Sequence, residues 1–93
     1  MYWRDYMKKI IFNDSKNAIA EALRLYRLQN HLTQQQLAAK MQVLGVNMDQ
    51  QMISKIESNS RIVTDYELAC FCHILNVEPN QILQPFYSKI DWK

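Results

Sequence analysis

The stretch of residues 32–57 constrains the fold more than any other part of this chain, because two helix starts lie within it. Thr33 can accept a hydrogen bond from the first helical turn, and the side chain of Gln36 can reach back to the Thr33 backbone, which together form a capping box. Asp49 is a second candidate N-cap, and apolar residues at helical spacing follow both starts. The stretch therefore predicts two short helices interrupted at Gly45, the only glycine in the chain.

The composition bounds the fold class. The chain has 93 residues, enough for one small domain, and 48% of them are hydrophobic while one is glycine and two are proline. This balance favours helices over turn-rich sheets, so we expect an all-α protein. The net charge of +2 neither requires nor excludes a partner made of phosphates, and the distribution of charge matters more. The middle of the chain is locally basic, with Arg24, Arg27, Lys40, Lys55 and Arg61.

Neither a membrane nor a metal is expected from the sequence. Residues 1–12 lack the apolar run of a signal peptide, and no stretch reaches the roughly 20 apolar residues of a membrane span, so we expect a cytoplasmic protein. Cys70 and Cys72 would point to nearly opposite sides of a helix, which favours reduced thiols. Adding His73 gives three adjacent helical residues that cannot converge on one ion, and His31 alone would not complete the set. We therefore expect no zinc site and no cofactor.

The chain divides into an N-terminal segment (1–14), a helical domain (15–84) and a tail (85–93). The N-terminal segment is an arm or a short helix. Its bases would suit a nucleic-acid backbone, whereas its apolar residues would cover the domain or pair with a second copy, the alternative that we favour. The tail carries more apolar surface than a solvated end requires, which suggests docking or dimerisation. The bases are Arg4, Lys8 and Lys9, and the apolar residues are Trp3, Tyr6, Ile10 and Phe12 in the arm and Phe86, Tyr87, Ile90 and Trp92 in the tail.

Five helices are expected in the helical domain. Asn30 and His31 should end the first, because both residue types tolerate the left-handed geometry of a helix terminus. Leu44 and Val46 are expected in the core beside Gly45. The expected helices are residues 15–30, residues 33–42 with an extension toward 44, residues 50–58, a fourth that starts with a capping box of Thr64 and Glu67 and ends at Asn76, and a fifth that starts at Pro79 and ends at Pro85.

Four motifs follow one another with a characteristic order and spacing. They are Leu-Arg-Leu-Tyr-Arg before Leu32-Thr33-Gln34, then Gln36-Leu37-Ala38, then Ile53-Ser54-Lys55-Ile56-Glu57, then Leu75-Asn76-Val77 leading to Ile82-Leu83. Together they resemble the lambda repressor and Cro type (XRE type) of helix-turn-helix domain. The resemblance implies a compact five-helix DNA-binding domain in which helices two and three form the helix-turn-helix. This chain departs from the pattern by extra residues between Gln42 and Met48, which lengthen the turn.

The resemblance also assigns roles to individual residues. It places Gln50 and Gln51 at the base edges of the major groove, where a glutamine amide matches N7 and the N6 amine of adenine. It makes Arg27 and Glu57 a structural pair that fixes the orientation of helix three. A solvated surface is an equal alternative for Lys55 and Arg61. The resemblance also has Gln34 support Gln50, the first of the two glutamines. The remaining assignments are Ser54 to base contact and Thr33, Gln34, Lys55, Asn59, Ser60 and Arg61 to the DNA backbone.

These expectations lead to a function. We expect a regulator, most simply a repressor, that binds double-stranded DNA as a homodimer. The alternative is a protein-interaction module, such as an antitoxin-type component, that uses the aromatic arm or tail and for which DNA binding is secondary. An enzyme is disfavoured, because the sequence has no Gly-rich phosphate loop and no paired carboxylates at useful spacing.

Overall fold

The structure is a computed structural model and describes residues 15–90. The described part of the chain contains five helices and confirms the all-α expectation. The helices are α1 (Ala20–Gln29), α2 (Gln34–Val43), α3 (Gln50–Glu57), α4 (Asp65–Leu75) and α5 (Pro79–Lys89).

The starts of α2, α3, α4 and α5 are the ones that local sequence signals predict. The amide of Gln36 donates to Thr33 Oγ1 at 3.0 Å, and the amide of Thr33 donates to Gln36 Oε1 at 2.8 Å, which completes the first capping box. The second capping box, at the start of α4, is complete as well. The side chain of Asp49 accepts from the amide of Met52 at 2.8 Å and caps α3. These caps satisfy amides that have no partner inside the helix.

Four helices are followed by a residue with left-handed backbone, which lets the chain turn away sharply. After α2, for example, the amide of Val46 donates to the carbonyl of Met41 at 3.0 Å, the bond that closes a Schellman motif. Glycine adopts this conformation without strain, whereas asparagine and histidine tolerate it. The predicted ends of helices one, two and four are thereby confirmed. The left-handed residues are His31 (φ 58°), Gly45 (φ 87°), Asn59 (φ 63°) and Asn76 (φ 56°).

The first helix begins later than predicted, at Ala20 rather than Ser15. Asn59 Oδ1 accepts from the amides of Lys16 and Asn17 at 2.9 and 3.1 Å, and Asn59 Nδ2 donates to Ser15 Oγ at 3.0 Å. Asn17 Nδ2 in turn donates to the carbonyls of Ile56 and Arg61 at 3.0 and 2.9 Å. Asparagine side chains that bind backbone groups compete with helix formation, so these bonds hold the segment against the α3–α4 loop instead. We call this arrangement, centred on Asn17 and Asn59, the asparagine clasp.

A pair of glycine substitutions tests the asparagine clasp. His31→Gly should raise the free energy of unfolding by up to about 1 kcal/mol, because it relieves left-handed strain at an exposed residue. Asn59→Gly relieves the same strain but removes three hydrogen bonds, so it should lower stability by about 1 to 3 kcal/mol. Urea unfolding of both variants measures the difference. An Asn59→Gly variant as stable as His31→Gly would show that the clasp contributes nothing.

The core holds α3 between α1 and α2. Ile53 and Ile56 of α3 are fully buried, and their helix packs on both earlier helices. Since this apolar stripe faces inward, the opposite face of α3 is left outside. The largest fully buried side chains among the described residues are Phe71, Leu23, Leu37, Met41, Met48, Ile53, Ile56 and Ile82.

Two local predictions are wrong. Leu44 is 43% exposed rather than in the core, although its neighbour Val46 is buried as predicted. Pro85 does not end the fifth helix, which continues to Lys89. Proline removes one backbone donor and therefore one hydrogen bond of the helix. This end of α5 packs beside the start of α1, where Pro85 and Phe86 line one small cavity with Ala18. The tertiary packing outweighs the lost hydrogen bond.

The proposed N-terminal arm (1–14) and the end of the tail, including Trp92, lie outside the described residues. Of the tail residues that are described, Phe86 and Tyr87 belong to α5, with ring centroids 6.3 Å apart, and Ile90 caps the helix. None of the helices formed by residues 15–90 is long and apolar enough to cross a membrane.

Candidate nucleic-acid interface

The first turn of α3 projects polar side chains from the body of the domain. Gln50 and Gln51 directly follow the N-cap Asp49 and are both exposed, while Ser54, one turn later, is partly exposed. The sequence forms this surface because the buried stripe of α3 takes the other side of a short amphipathic helix. The three side chains assigned to base contact therefore belong to one helix start.

Gln50 is tied to the start of α2. Gln50 Nε2 donates to Gln34 Oε1 at 2.7 Å, and Gln34 Nε2 donates to Glu57 Oε1 at 3.1 Å. The chain of bonds thus runs from the first residue of α3 through the first residue of α2 to the last residue of α3. Both helices therefore set the position of Gln50, one of the side chains assigned to base contact.

Glu57 is the partner of Arg27. Arg27 Nε donates to Glu57 Oε2 at 2.7 Å and an Arg27 terminal nitrogen donates to Glu57 Oε1 at 3.0 Å, a bidentate contact. The two side chains are only 9% and 5% exposed. Hydrogen bonding to Glu57 raises the pKa of Arg27 above its ordinary value despite the cost of burial. Arg27 also donates to the carbonyl of Leu32 at 2.8 Å, so this one guanidinium joins α1, the entry to α2 and the end of α3.

The lengthened turn between α2 and α3 is ordered by two interactions. Gln42 Nε2 donates to the carbonyl of Met48 at 2.7 Å, and the side chain of Met48 is fully buried. Val46 enters the core as well, whereas Val43 is 85% exposed. The extra residues therefore close back onto the core before Asp49 starts α3.

An open groove with a volume of about 580 Å³ lies between α2 and α3. Gln50 and Gln51 form one side of it, and Gln35 and Ala39 of α2 lie on the other. Gln35 and Ala39 were not among the residues that the sequence singled out, since an exposed glutamine or alanine on a helix carries no distinctive signal. The side chains that line this groove come from both α2 and α3 and form one polar face.

In the loop after α3, two residues that were predicted to contact DNA, Asn59 and Arg61, bind other parts of the protein. Asn59 belongs to the asparagine clasp, and Ser60 Oγ donates to the carbonyl of Lys55 at 3.1 Å while remaining exposed. Arg61 donates to Glu67 Oε1 and Oε2 at 3.0 and 3.1 Å. Lys55 and Ser60 are therefore the two exposed side chains of this set near the loop.

Glu67, which the sequence identified only as a capping residue of α4, is the partner of Arg61. Its side chain is 4% exposed, and burial by itself would raise the pKa of its carboxyl. Hydrogen bonds from Arg61 and Thr64 outweigh that effect, so the pKa of Glu67 lies below its ordinary value. The carboxylate thus fixes the Arg61 side chain, and with it the shape of the loop.

The cysteines lie on α4, away from this face. Cys70 is partly buried and Cys72 is buried, and burial raises the pKa of the Cys72 thiol. Within residues 15–90 no three histidine, cysteine or acidic side chains are grouped as metal ligands would be.

Comparison of the chain with models of known protein families identifies its family. A helix-turn-helix family model matches residues 23–82, which span all of α2, α3 and α4 and most of α1. The chain belongs to the lambda repressor and Cro type of helix-turn-helix family. Searches of the curated proteins and of the solved structures found no match to the chain.

Membership of the family shows which helices form the helix-turn-helix motif. In this helix-turn-helix domain α2 and α3 are the motif, and the lengthened turn is the segment between them. The protein is a DNA-binding helix-turn-helix regulator. The resemblance in the sequence and the five-helix fold are both confirmed.

Proposed function

We propose that this regulator is a sequence-specific repressor that acts in the cytoplasm and binds an operator in double-stranded DNA as a homodimer. The observation that carries the proposal is the hydrogen-bonded Gln50 at the start of α3, since a side chain held in place at a helix start is suited to base recognition. With α3 in the major groove, Gln50 and Gln51 would bind base edges, and Ser54 would reach a base one turn later.

The phosphate contacts come from the surroundings of α3. The first amides of α2, beside Thr33 and Gln34, offer donors and a positive helix end to a phosphate. Lys55 and Ser60 are exposed near the α3–α4 loop and suit the adjoining backbone. Asn59 and Arg61 serve by shaping that loop, because their side chains bind other parts of the protein.

Dimerisation follows from the small size of the reading surface. One recognition helix contacts only a few base pairs, so useful specificity requires two half-sites, about 34 to 36 Å apart when they are separated by one turn of DNA. A dimer placed over a promoter would exclude polymerase, which makes repression the simplest outcome. The arm (1–14) and the tail (85–93) are the proposed dimerisation segments.

Substitution of the two glutamines tests the proposal. An operator selected from random duplexes would serve as the cognate site, and a scrambled duplex as the reference. Gln50→Ala and Gln51→Ala should each reduce discrimination between the two by about 1 to 3 kcal/mol, roughly 5-fold to 150-fold, while the fold is kept. Gln84→Ala, an exposed glutamine of α5, is the matched control and should leave discrimination unchanged. Unchanged discrimination in both α3 variants would refute this reading surface.

A protein-interaction module is the second candidate, and one feature favours it. Leu25 and Leu28 of α1 are 51% and 50% exposed, which suits a protein partner better than solvent. The salt dependence of binding separates the two functions, since binding through phosphates weakens steeply as salt is added. No detectable affinity for duplex DNA at low salt would favour the interaction module.

A further inference from the structure

We propose that the N-terminal segment (1–14) docks in an apolar groove between α1 and α5 of the same copy of the protein. This groove has a volume of about 390 Å³. The proposal goes beyond the proposed function and does not depend on DNA binding. We call the surface the α1–α5 groove; it is lined by four uncharged polar side chains and by Ala22, Leu25, Tyr26 and Pro85.

The chemistry of the α1–α5 groove favours an apolar occupant. None of the described residues that line it carries a charge. Leu25 is 51% exposed, so a large apolar side chain borders the open space, and covering such a surface is favourable. A DNA backbone would find no cation inside the groove to neutralise its phosphates.

The N-terminal segment is attached beside one end of the α1–α5 groove. Ser15 lines a cavity of about 70 Å³ at the start of α1, and that cavity shares Ala22 and Pro85 with the groove. The asparagine clasp holds residues 15–17 at this end. Because the segment is tethered there, its effective concentration at the groove is high, and it needs less contact area than a free partner.

The N-terminal segment carries an apolar face of suitable length. Its apolar residues recur at the spacing of one side of a helix, with Lys8 and Lys9 on the other side. A helix of residues 3–11 would be about 14 Å long, close to the roughly 15 Å of the ten-residue α1. Phe12 falls opposite the apolar face, so it and the tail stay available for the proposed contact with a second copy. The apolar face consists of Trp3, Tyr6, Met7, Ile10 and Ile11.

A second copy of the domain is a poorer occupant of the α1–α5 groove. A stable interface between two proteins buries about 800 Å² on each partner and uses roughly 20 to 30 residues a side. Eight described residues line the groove, which is too few for such an interface. A short tethered segment fits this size better.

Cleavage by trypsin measures the docking in the full-length protein. Trypsin cuts after Lys8 and Lys9, and the rate follows the population of the open segment when opening is fast. Leu25→Glu introduces a charge under the docked segment, so it should speed this cleavage about tenfold. Leu28→Glu is the matched control and should leave the rate unchanged, because Leu28 is 50% exposed on the same helix but does not line the groove.

A second pair of variants leaves the helical domain unaltered. Tyr6→Ser removes an aromatic ring from the apolar face and should speed the cleavage, whereas Phe12→Ser removes one from the opposite side and should not. Fluorescence of Trp3 in a Trp92→Phe background gives an independent measure. Its emission should move to longer wavelength with Leu25→Glu and with Tyr6→Ser, and stay unchanged with the two controls.

Four results would overturn the proposal. The unsubstituted protein could be cleaved as fast as Leu25→Glu, or Leu28→Glu could have the same effect as Leu25→Glu. Protection that is lost on dilution would mean that the segment binds a second copy, and protection only in the presence of duplex DNA would mean that it binds the DNA backbone. Thermal melting shows whether each variant is folded, and Tyr6→Ser against Phe12→Ser decides the matter if Leu25→Glu is not.

Discussion

Replacing Arg27 by methionine should destabilise the domain by about 3 to 5 kcal/mol, the largest effect expected of a single substitution near the interface. Methionine keeps most of the buried volume but leaves the Glu57 carboxylate, which is 5% exposed, without its charged partner. The double variant Arg27→Met/Glu57→Leu removes both charges and should recover much of the loss, because an apolar pair has no desolvation cost to offset. Urea unfolding of the three proteins measures these differences.

The control for this prediction lies on the same helix. Arg24→Met, at an exposed position of α1, should change stability by no more than about 0.5 kcal/mol. A double variant as unstable as Arg27→Met would mean that lost packing, rather than the unpaired charge, is responsible. In that case Arg27 and Glu57 would position α3 through their shape alone.

The sequence predicted most of the helix termini, because the interactions that form them are local. A capping box needs only Thr33 and Gln36, and a left-handed terminus needs only a residue that tolerates it, such as His31 or Asn76. All the groups that form a cap or a left-handed terminus lie within a few residues of one another, so a short stretch of sequence is enough to predict it. The five helices were predictable for this reason.

The errors come from interactions between residues far apart in the chain. The apolar spacing around Ile19 predicts a helix from Ser15, but Asn17 and Asn59, 42 positions apart, hold that segment outside the helix. Pro85 reads locally as a helix stop, and only the packing of α5 on α1 explains why the helix continues. In both cases the interacting residues lie outside the short stretch of sequence from which the helix end was predicted.

The candidate site also contains one contact that was predicted and one that was not. The family resemblance predicted that Arg27 and Glu57 would pair, and their side chains are hydrogen-bonded. The partner of Arg61 could not be identified from the sequence. An arginine in a polar loop has the same local signature whether it faces water, a phosphate or a carboxylate. A weak signal did exist, because Glu67 as a capping residue uses Oε1 for the amide of Thr64 and leaves Oε2 for another donor.

The lengthened turn is where the chain departs from the family pattern, and Met48→Ala tests how the turn is anchored. Met48 is fully buried, so its truncation should cost about 2 to 5 kcal/mol through lost burial and the cavity left behind. Val43→Ala, at a residue of the same region that is 85% exposed, should stay within about 0.5 kcal/mol of the unsubstituted protein. Both values come from urea unfolding.

The consequence of Met48→Ala for recognition follows from its position in the chain. Met48 immediately precedes Asp49, and its carbonyl accepts from Gln42 Nε2 at 2.7 Å, so the same residue anchors the turn through backbone and side chain. Loosening it should weaken DNA binding at temperatures where the domain is still folded, because α3 would no longer start from a fixed point. If Met48→Ala costs no more than Val43→Ala, the extra residues form an unanchored loop. The orientation of Gln50 would then depend on Gln34 and the Arg27–Glu57 pair alone.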